Sequence, residues 1–162
     1  GRLLTKAISH FDSFVFCNTG SEATMRACRI ARAYTGRKKI AMFSGGWHGG
    51  HDGLLFDEDY KGVETAPKIA FKSAGVPDEL KDLVLILPYH CDAALTMIRK
   101  HKDELAMVII EPVQGSNPRD DMGEFLNKLR GCTAKNKVLL PHQCSISIQR
   151  FASFSSSSPL LS

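Results

Sequence analysis

The sequence predicts an α/β domain with a largely parallel sheet and helices packed on its faces. Short apolar runs alternate with amphipathic stretches of helical period, the pattern of strands joined by crossover helices. Several of those runs lead directly into glycine-rich or acidic segments, where open α/β sheets bind ligands. The composition is globular: 43% of the 162 residues are hydrophobic and 23% are charged. Those fractions exclude a disordered chain, a collagen and a disulfide miniprotein. The length suffices to bury roughly 70% of the unfolded surface in one domain.

The first apolar run, Phe14-Val15-Phe16-Cys17, reads as a buried strand ending at the turn Asn18-Thr19-Gly20. Thr19-Gly20-Ser21-Glu22 is a capping-box pattern, with Thr19 on the Glu22 amide and the Glu22 carboxylate reaching back. A helix follows over 20–35, with Ala23, Ala27, Ile30, Ala31 and Tyr34 as its stripe and Gly36 as its stop. Ile40 to Phe43 is a strand that opens into Gly45-Gly46-Trp47-His48-Gly49-Gly50. Residues 51–67 lack a period and read as loop, and Lys68 to Lys72 as a strand. Leu83 to Leu87 is a strand stopped by Pro88; Asp92 is expected to cap a helix reaching about Lys102. Ala106 to Ile110 is a strand ending at Glu111-Pro112. Gly123 to Asn136 is an amphipathic helix through Phe125, Leu126, Leu129 and Cys132, and Val138-Leu139-Leu140 begins another strand. Residues 141–162 carry eight serines and no Asp or Glu. That tail is expected to be disordered, with a short strand at Ile146 and Ile148 as the alternative.

A parallel sheet brings Asn18-Thr19-Gly20-Ser21, Gly45-Gly46-Trp47-His48 and Glu111-Pro112-Val113-Gln114-Gly115 to one edge. Gly20 and Ser21, at a helix N-terminus, suit a phosphate, and they suit plain capping as well. Trp47, the only tryptophan, can lie flat on a planar ligand or anchor its loop. Glu111 follows an apolar strand, where burial demands a partner, either a cation or a ligand site. His48, His51 and Asp52 form a His-x-x-His-Asp loop that could suit a metal-dependent hydrolase, but the helical His-Glu-x-x-His context is missing and no metal is expected. Neither common nucleotide-phosphate motif is present.

Phe16-Cys17-Asn18-Thr19-Gly20-Ser21-Glu22-Ala23, followed by Ala31-Arg32-Ala33-Tyr34-Thr35-Gly36-Arg37, resembles the class III aminotransferases. Gly45-Gly46-Trp47-His48-Gly49 and Ile110-Glu111-Pro112-Val113-Gln114-Gly115 resemble later motifs of that family, in order, over about residues 11–140. The nearest branch resembles the glutamate-1-semialdehyde 2,1-aminomutases. The resemblance implies pyridoxal 5′-phosphate (PLP) as cofactor and part of the fold type I large domain over 1–140. It implies Gly20 and Ser21 on the cofactor phosphate, Trp47 on the pyridine ring with His48 beside it, and Glu111 lining the site. It also implies transamination or an amino shift on a small amino acid or amino aldehyde, and a homodimer.

The sequence departs from the family after Leu140. The family continues into Asp-Glu-Val, whose Asp keeps the pyridine nitrogen protonated; here Pro141-His142-Gln143-Cys144 follow. The lysines beyond Glu111 are Lys128, Lys135 and Lys137, and none matches the Schiff-base lysine. The expectation is therefore a fragment with no catalytic residue of its own, inactive alone. A non-catalytic binding or scaffold protein is the alternative. The tail at 141–162 reads as non-family sequence from a frameshift, a retained intron or an alternative exon.

Other partners and settings follow from composition. The formal charge of +4, without a sustained basic stripe, argues against nucleic acid. No apolar run approaches the ~20 residues of a membrane span. Cys17, Cys28, Cys91, Cys132 and Cys144 are scattered and odd in number, which suits reduced, mostly buried thiols and an intracellular setting, cytoplasmic or organellar. The chain starts at Gly1 with no visible secretory signal.

Overall fold

The computed structural model describes residues 15–59, 68–143 and 149–151. Its framework is a parallel sheet of β1 (Lys39–Phe43), β4 (Val84–Leu87) and β5 (Leu105–Ile109), in the order β4-β1-β5. Ile40 pairs with Val84 on one side and Met107 on the other. Leu139 adds a single parallel bridge to Met107, closed by Val108 N–H donating to the Leu139 carbonyl at 2.8 Å.

The sheet is buried on both faces, which explains why its strands read as continuous apolar runs. Alternate residues divide between two cores. Ile40, Met42, Ile86, Met107 and Ile109 meet Ala27, Cys28 and Ala31 of α1 (Gly20–Thr35). Ala41, Phe43, Leu87, Val108 and Ile110 meet α2 (Asp92–Lys100) and α3 (Met122–Lys135) through Leu95, Ile98, Phe125 and Leu129. The Phe43 and Phe125 rings meet edge to face at 5.8 Å.

Helix α1 has the predicted bounds because both ends are capped locally. Glu22 N–H donates to Thr19 Oγ1 at 3.1 Å, and the Glu22 carboxylate reaches back to the Asn18 amide at 2.9 Å. Gly36, at φ +69, closes the helix with its amide on the Arg32 carbonyl. The buried stripe is rotated from the expected one. Thr24, Ala27, Cys28 and Ala31 face the sheet, whereas Ile30 and Tyr34 are exposed. The small residues let the helix sit close to the strands, so size outweighs hydrophobicity here.

Other expectations are corrected. Val15 to Cys17 is no strand: it pairs with no strand among the described residues, and Phe16 is 69% exposed. An apolar run becomes a strand only where a neighbour supplies a ladder, and this one leads straight into the α1 cap; Phe14 lies outside the described residues. Cys91, not Asp92, is the N-cap residue of α2, with no side-chain cap bond, and α2 stops at Lys100. Within 51–67, a short 3-10 turn at Asp52–Leu54 is followed by β2 (Phe56–Asp59), antiparallel to β3 (Lys68–Phe71). That hairpin buries Phe56 against the α1 face of the sheet, a contact no local period announces. After Leu140 the chain leaves the parallel ladder. β6 (Pro141–Gln143) pairs antiparallel with β7 (Gln149–Phe151), so six residues of the expected disordered tail are paired. Ile146, Ile148 and the last eleven residues lie outside the described residues.

Candidate functional site

Helix α1 reaches β1 through the three residues Gly36 to Lys38, so it runs antiparallel to the strand and returns its N-terminus to the strand's C-terminal end. From β1 the chain passes to β4 on one side and then to β5 on the other. The sheet therefore changes winding direction between β1 and β5, the crevice where ligands of open α/β sheets bind. The loop Gly45 to Gly50 fills that position.

This loop joins the predicted site residues. At its far end Gly50 N–H donates to Ser21 Oγ at 2.9 Å. Gly49 presses on the same residue: a Cβ built there would stand 2.7 Å from Ser21 Cα, and its φ is +99. Next to it Thr24, fully buried, donates to the His48 carbonyl at 2.7 Å. At the near end Trp47 N–H donates to Glu111 Oε2 at 3.2 Å. Gly20, Ser21, Trp47, His48 and Glu111 thus gather around one loop. Trp47 is 55% exposed, whereas His48 is 1% exposed and turned into the protein beneath the loop.

The electrostatics of the α1 start favour an anion. Thr19 occupies the amides of Glu22 and Ala23, which among the described residues leaves those of Gly20 and Ser21 as first-turn donors beside the positive end of the helix dipole. The Asn18 amide and then the Arg26 guanidinium hold the Glu22 carboxyl below its usual range.

Three further residues complete the loop's support, of which Gln114 alone lies in a segment that the sequence brought to the site edge. Asp57 Oδ1 accepts from Gly45 N–H at 3.1 Å and from Ser44 Oγ at 3.2 Å. Lys72 donates to the Gly46 carbonyl, stands 3.6 Å from Asp57 and lies 6.0 Å from the Trp47 ring centre. Burial opposes ionisation of Asp57, but the Gly45 and Glu58 amides and Lys72 outweigh it and hold the carboxyl below its usual range. Gln114, 2% exposed, donates to the Ser44 carbonyl at 2.8 Å. Asp57 and Lys72 come from the β2–β3 hairpin; residues 51–67 carry no period that would mark Asp57, and the strand expected at Lys68 to Lys72 was the one sequence signal near Lys72. On the other side of Gly45 lies a cleft of about 350 Å³ lined by Tyr89, His90, Gln114, Asn117 and Arg119.

The His-x-x-His-Asp segment serves packing. His51 Nε2 lies 3.2 Å from Thr24 Oγ1, and burial keeps its pKa low. Among the described residues, no three His, Cys, Asp or Glu are grouped to hold a metal ion.

The pattern of the family described as Aminotransferase class-III matches residues 1–142, and the chain belongs to that family. It is 41% identical over 146 residues to a glutamate-1-semialdehyde 2,1-aminomutase of Persephonella marina, spanning 86% of this chain and 32% of that protein. A second aminomutase, of Acidobacterium capsulatum, is 42% identical over 141 residues, 85% of this chain and 32% of its own length. The chain thus spans about a third of the length of these relatives. An omega-transaminase from Sphaerobacter thermophilus superposes with a TM-score of 0.75 at 32% identity, covering 87% of this chain and 33% of that one. A transaminase with PLP bound gives a TM-score of 0.70 at 30% identity, over 87% and 34% of the two chains. PLP is the cofactor of this family, and the α/β fold expected from sequence is that of its transaminases. No helix among the described residues is long and apolar enough to cross a membrane.

Proposed function

We propose that this chain carries the phosphate and ring contacts of a PLP site in a class III aminotransferase or glutamate-1-semialdehyde-type aminomutase acting on a small amino acid or amino aldehyde. One observation carries the reading: the loop bearing Trp47 is bonded at one end to Ser21 and at the other to Glu111. A phosphate cradle and an aromatic face are thereby fixed relative to each other, as a planar phosphorylated cofactor requires. The close fit of Gly49 on Ser21 keeps that spacing short.

In this reading the Gly20 and Ser21 amides and the Ser21 hydroxyl bind the phosphate. Trp47 offers its ring to the pyridine. Glu111 holds the Trp47 amide and lines the crevice; His48 supports the loop from inside. When bound, PLP supplies an electron sink for charge developing on the substrate carbon. The aminomutase branch is favoured by the names of the relatives at about 40% identity.

The reading expects residues 1–162 to bind PLP reversibly and to turn over no substrate alone. Lys128 is tied to Asp92 and Glu124 on α3, away from the crevice. Beyond Leu140 the backbone turns into the β6–β7 hairpin where the family places its pyridine-nitrogen Asp. A family-like homodimer would cover the exposed Val15, Phe16 and Val113. The test is titration with PLP followed by borohydride and peptide mapping. Saturable binding weakened by Ser21→Ala, with only scattered lysine labelling, is expected. Absence of saturable binding would refute the site. One stoichiometric pyridoxyl-lysine would refute reversible attachment.

A further inference from the structure

We infer that Lys72 and Asp57 are positioning residues that hold the ring of Trp47 for its ligand, acting from the β2–β3 hairpin through the backbone of the glycine loop.

Three consecutive loop residues are each held by a charged side chain, two from the β2–β3 hairpin and one from just after the end of β5. Asp57 takes the Gly45 amide, Lys72 takes the Gly46 carbonyl, and Glu111 takes the Trp47 amide. Glycines have no side chain with which to fix a loop, and the freedom of two in succession is wide. Without external ties the peptide planes before Trp47 would reorient, and its ring with them. The ties come from paired strands: β2 and β3 pair from Phe56↔Phe71 to Asp59↔Lys68, and the Lys72 amide extends the ladder to the Leu55 carbonyl at 2.9 Å. Phe56 and Phe71 anchor the hairpin, their rings 5.5 Å apart.

Lys72 does more than tie the backbone. Its ammonium stands within cation–π range of the Trp47 ring and is part-buried, its side chain 18% exposed. Asp57 neutralises and orients it at 3.6 Å. The same carboxylate receives the Gly45 amide, so one acid sets both the loop and the cation. A cation–π contact of ordinary strength corresponds to about a two- to fivefold change in the population of the held ring.

Trp47 is the only tryptophan, so its fluorescence reports this ring alone. The experiment compares nanosecond anisotropy decay and acrylamide quenching in the ligand-free 162-residue chain, its Lys72→Met, Lys72→Arg and Asp57→Asn variants, each checked for folding by far-UV circular dichroism. Lys72→Met is expected to raise the mobile population of Trp47 about two- to fivefold. Lys72→Arg, which keeps the cation and donors, restores the wild-type decay; Asp57→Asn loosens the ring. Should Lys72→Met fail to fold, Asp57→Asn and Lys72→Arg decide by the same criteria. An unchanged decay in the folded Lys72→Met or Asp57→Asn chain would overturn the inference. The consequence for PLP rests on the function proposed above: affinity should fall with ring order across the series. If PLP fails to bind the wild-type chain, the cofactor reading fails while the anisotropy result stands.

Discussion

Replacing Gly49 with alanine tests whether the glycine loop is welded to the start of α1. The added Cβ would meet Ser21 Cα at 2.7 Å and Ser21 Oγ at 2.8 Å, distances real Cβ atoms do not adopt. Neither the Cα nor its helix can swing aside as a flexible side chain would. Overpacking of this kind costs about 1–3 kcal/mol. The left-handed φ of +99 adds about 1–2 kcal/mol for a residue with a Cβ. Reduced freedom of the unfolded chain returns roughly 0.4–1 kcal/mol. The net expectation is a loss of about 2–4 kcal/mol, a large share of the 5–15 kcal/mol typical of a domain. In urea, with a slope of about 2 kcal/mol/M, the midpoint falls by about 1–2 M. Gly50→Ala is the control: nothing lies within 4 Å of its Cβ and its φ is not left-handed, so it should stay within about 0.5 kcal/mol of wild type. Equal midpoints for Gly49→Ala and wild type, or equal losses for both variants, would refute the reasoning.

Three further outcomes follow from the same geometry. Burial holds His51 below its ordinary pKa of 6.5, with Asp52 opposing and Arg32 reinforcing the shift. The unfolded chain therefore takes a proton that the folded chain refuses, so stability is full above pH 6.5 and declines as pH falls below it; urea midpoints at pH 7.5 and 5.5 should differ less in His51→Gln than in wild type. Burial pushes the Cys28 thiol up to about 11, whereas Cys91 is exposed; mass mapping after brief iodoacetamide treatment at pH 8 should find Cys91 modified and Cys28 protected. Leu129→Ala, at a fully buried site in the α2–α3 core, should cost about 2–5 kcal/mol by urea unfolding; a loss below about 1 kcal/mol would contradict the packing described.

The sequence by itself determined whatever depends on neighbours along the chain. The Thr19 cap, the Glu22 reach-back and the Gly36 stop bounded α1 because each is a contact within five residues. The strands β1, β4 and β5 were legible because burial on both faces leaves an unbroken apolar run. Strand and crossover pointed Trp47, His48 and Glu111 to one edge, and motif order pointed to the family; Gly20 and Ser21 reach that edge through the return of α1 rather than through the strand expected before them. Tertiary structure alone decided which face of α1 is buried, since close approach to the sheet favours small Thr24 and Ala31 over Ile30. It also decided that Val15 and Phe16 stand exposed: a strand needs a partner, which a run of apolar residues cannot supply. Asp57 and Lys72 lie 12 and 26 residues from the loop atoms they hold. Such contacts arise when two distant strands pair and fold over a third element, and neither period nor composition encodes where that hairpin lands.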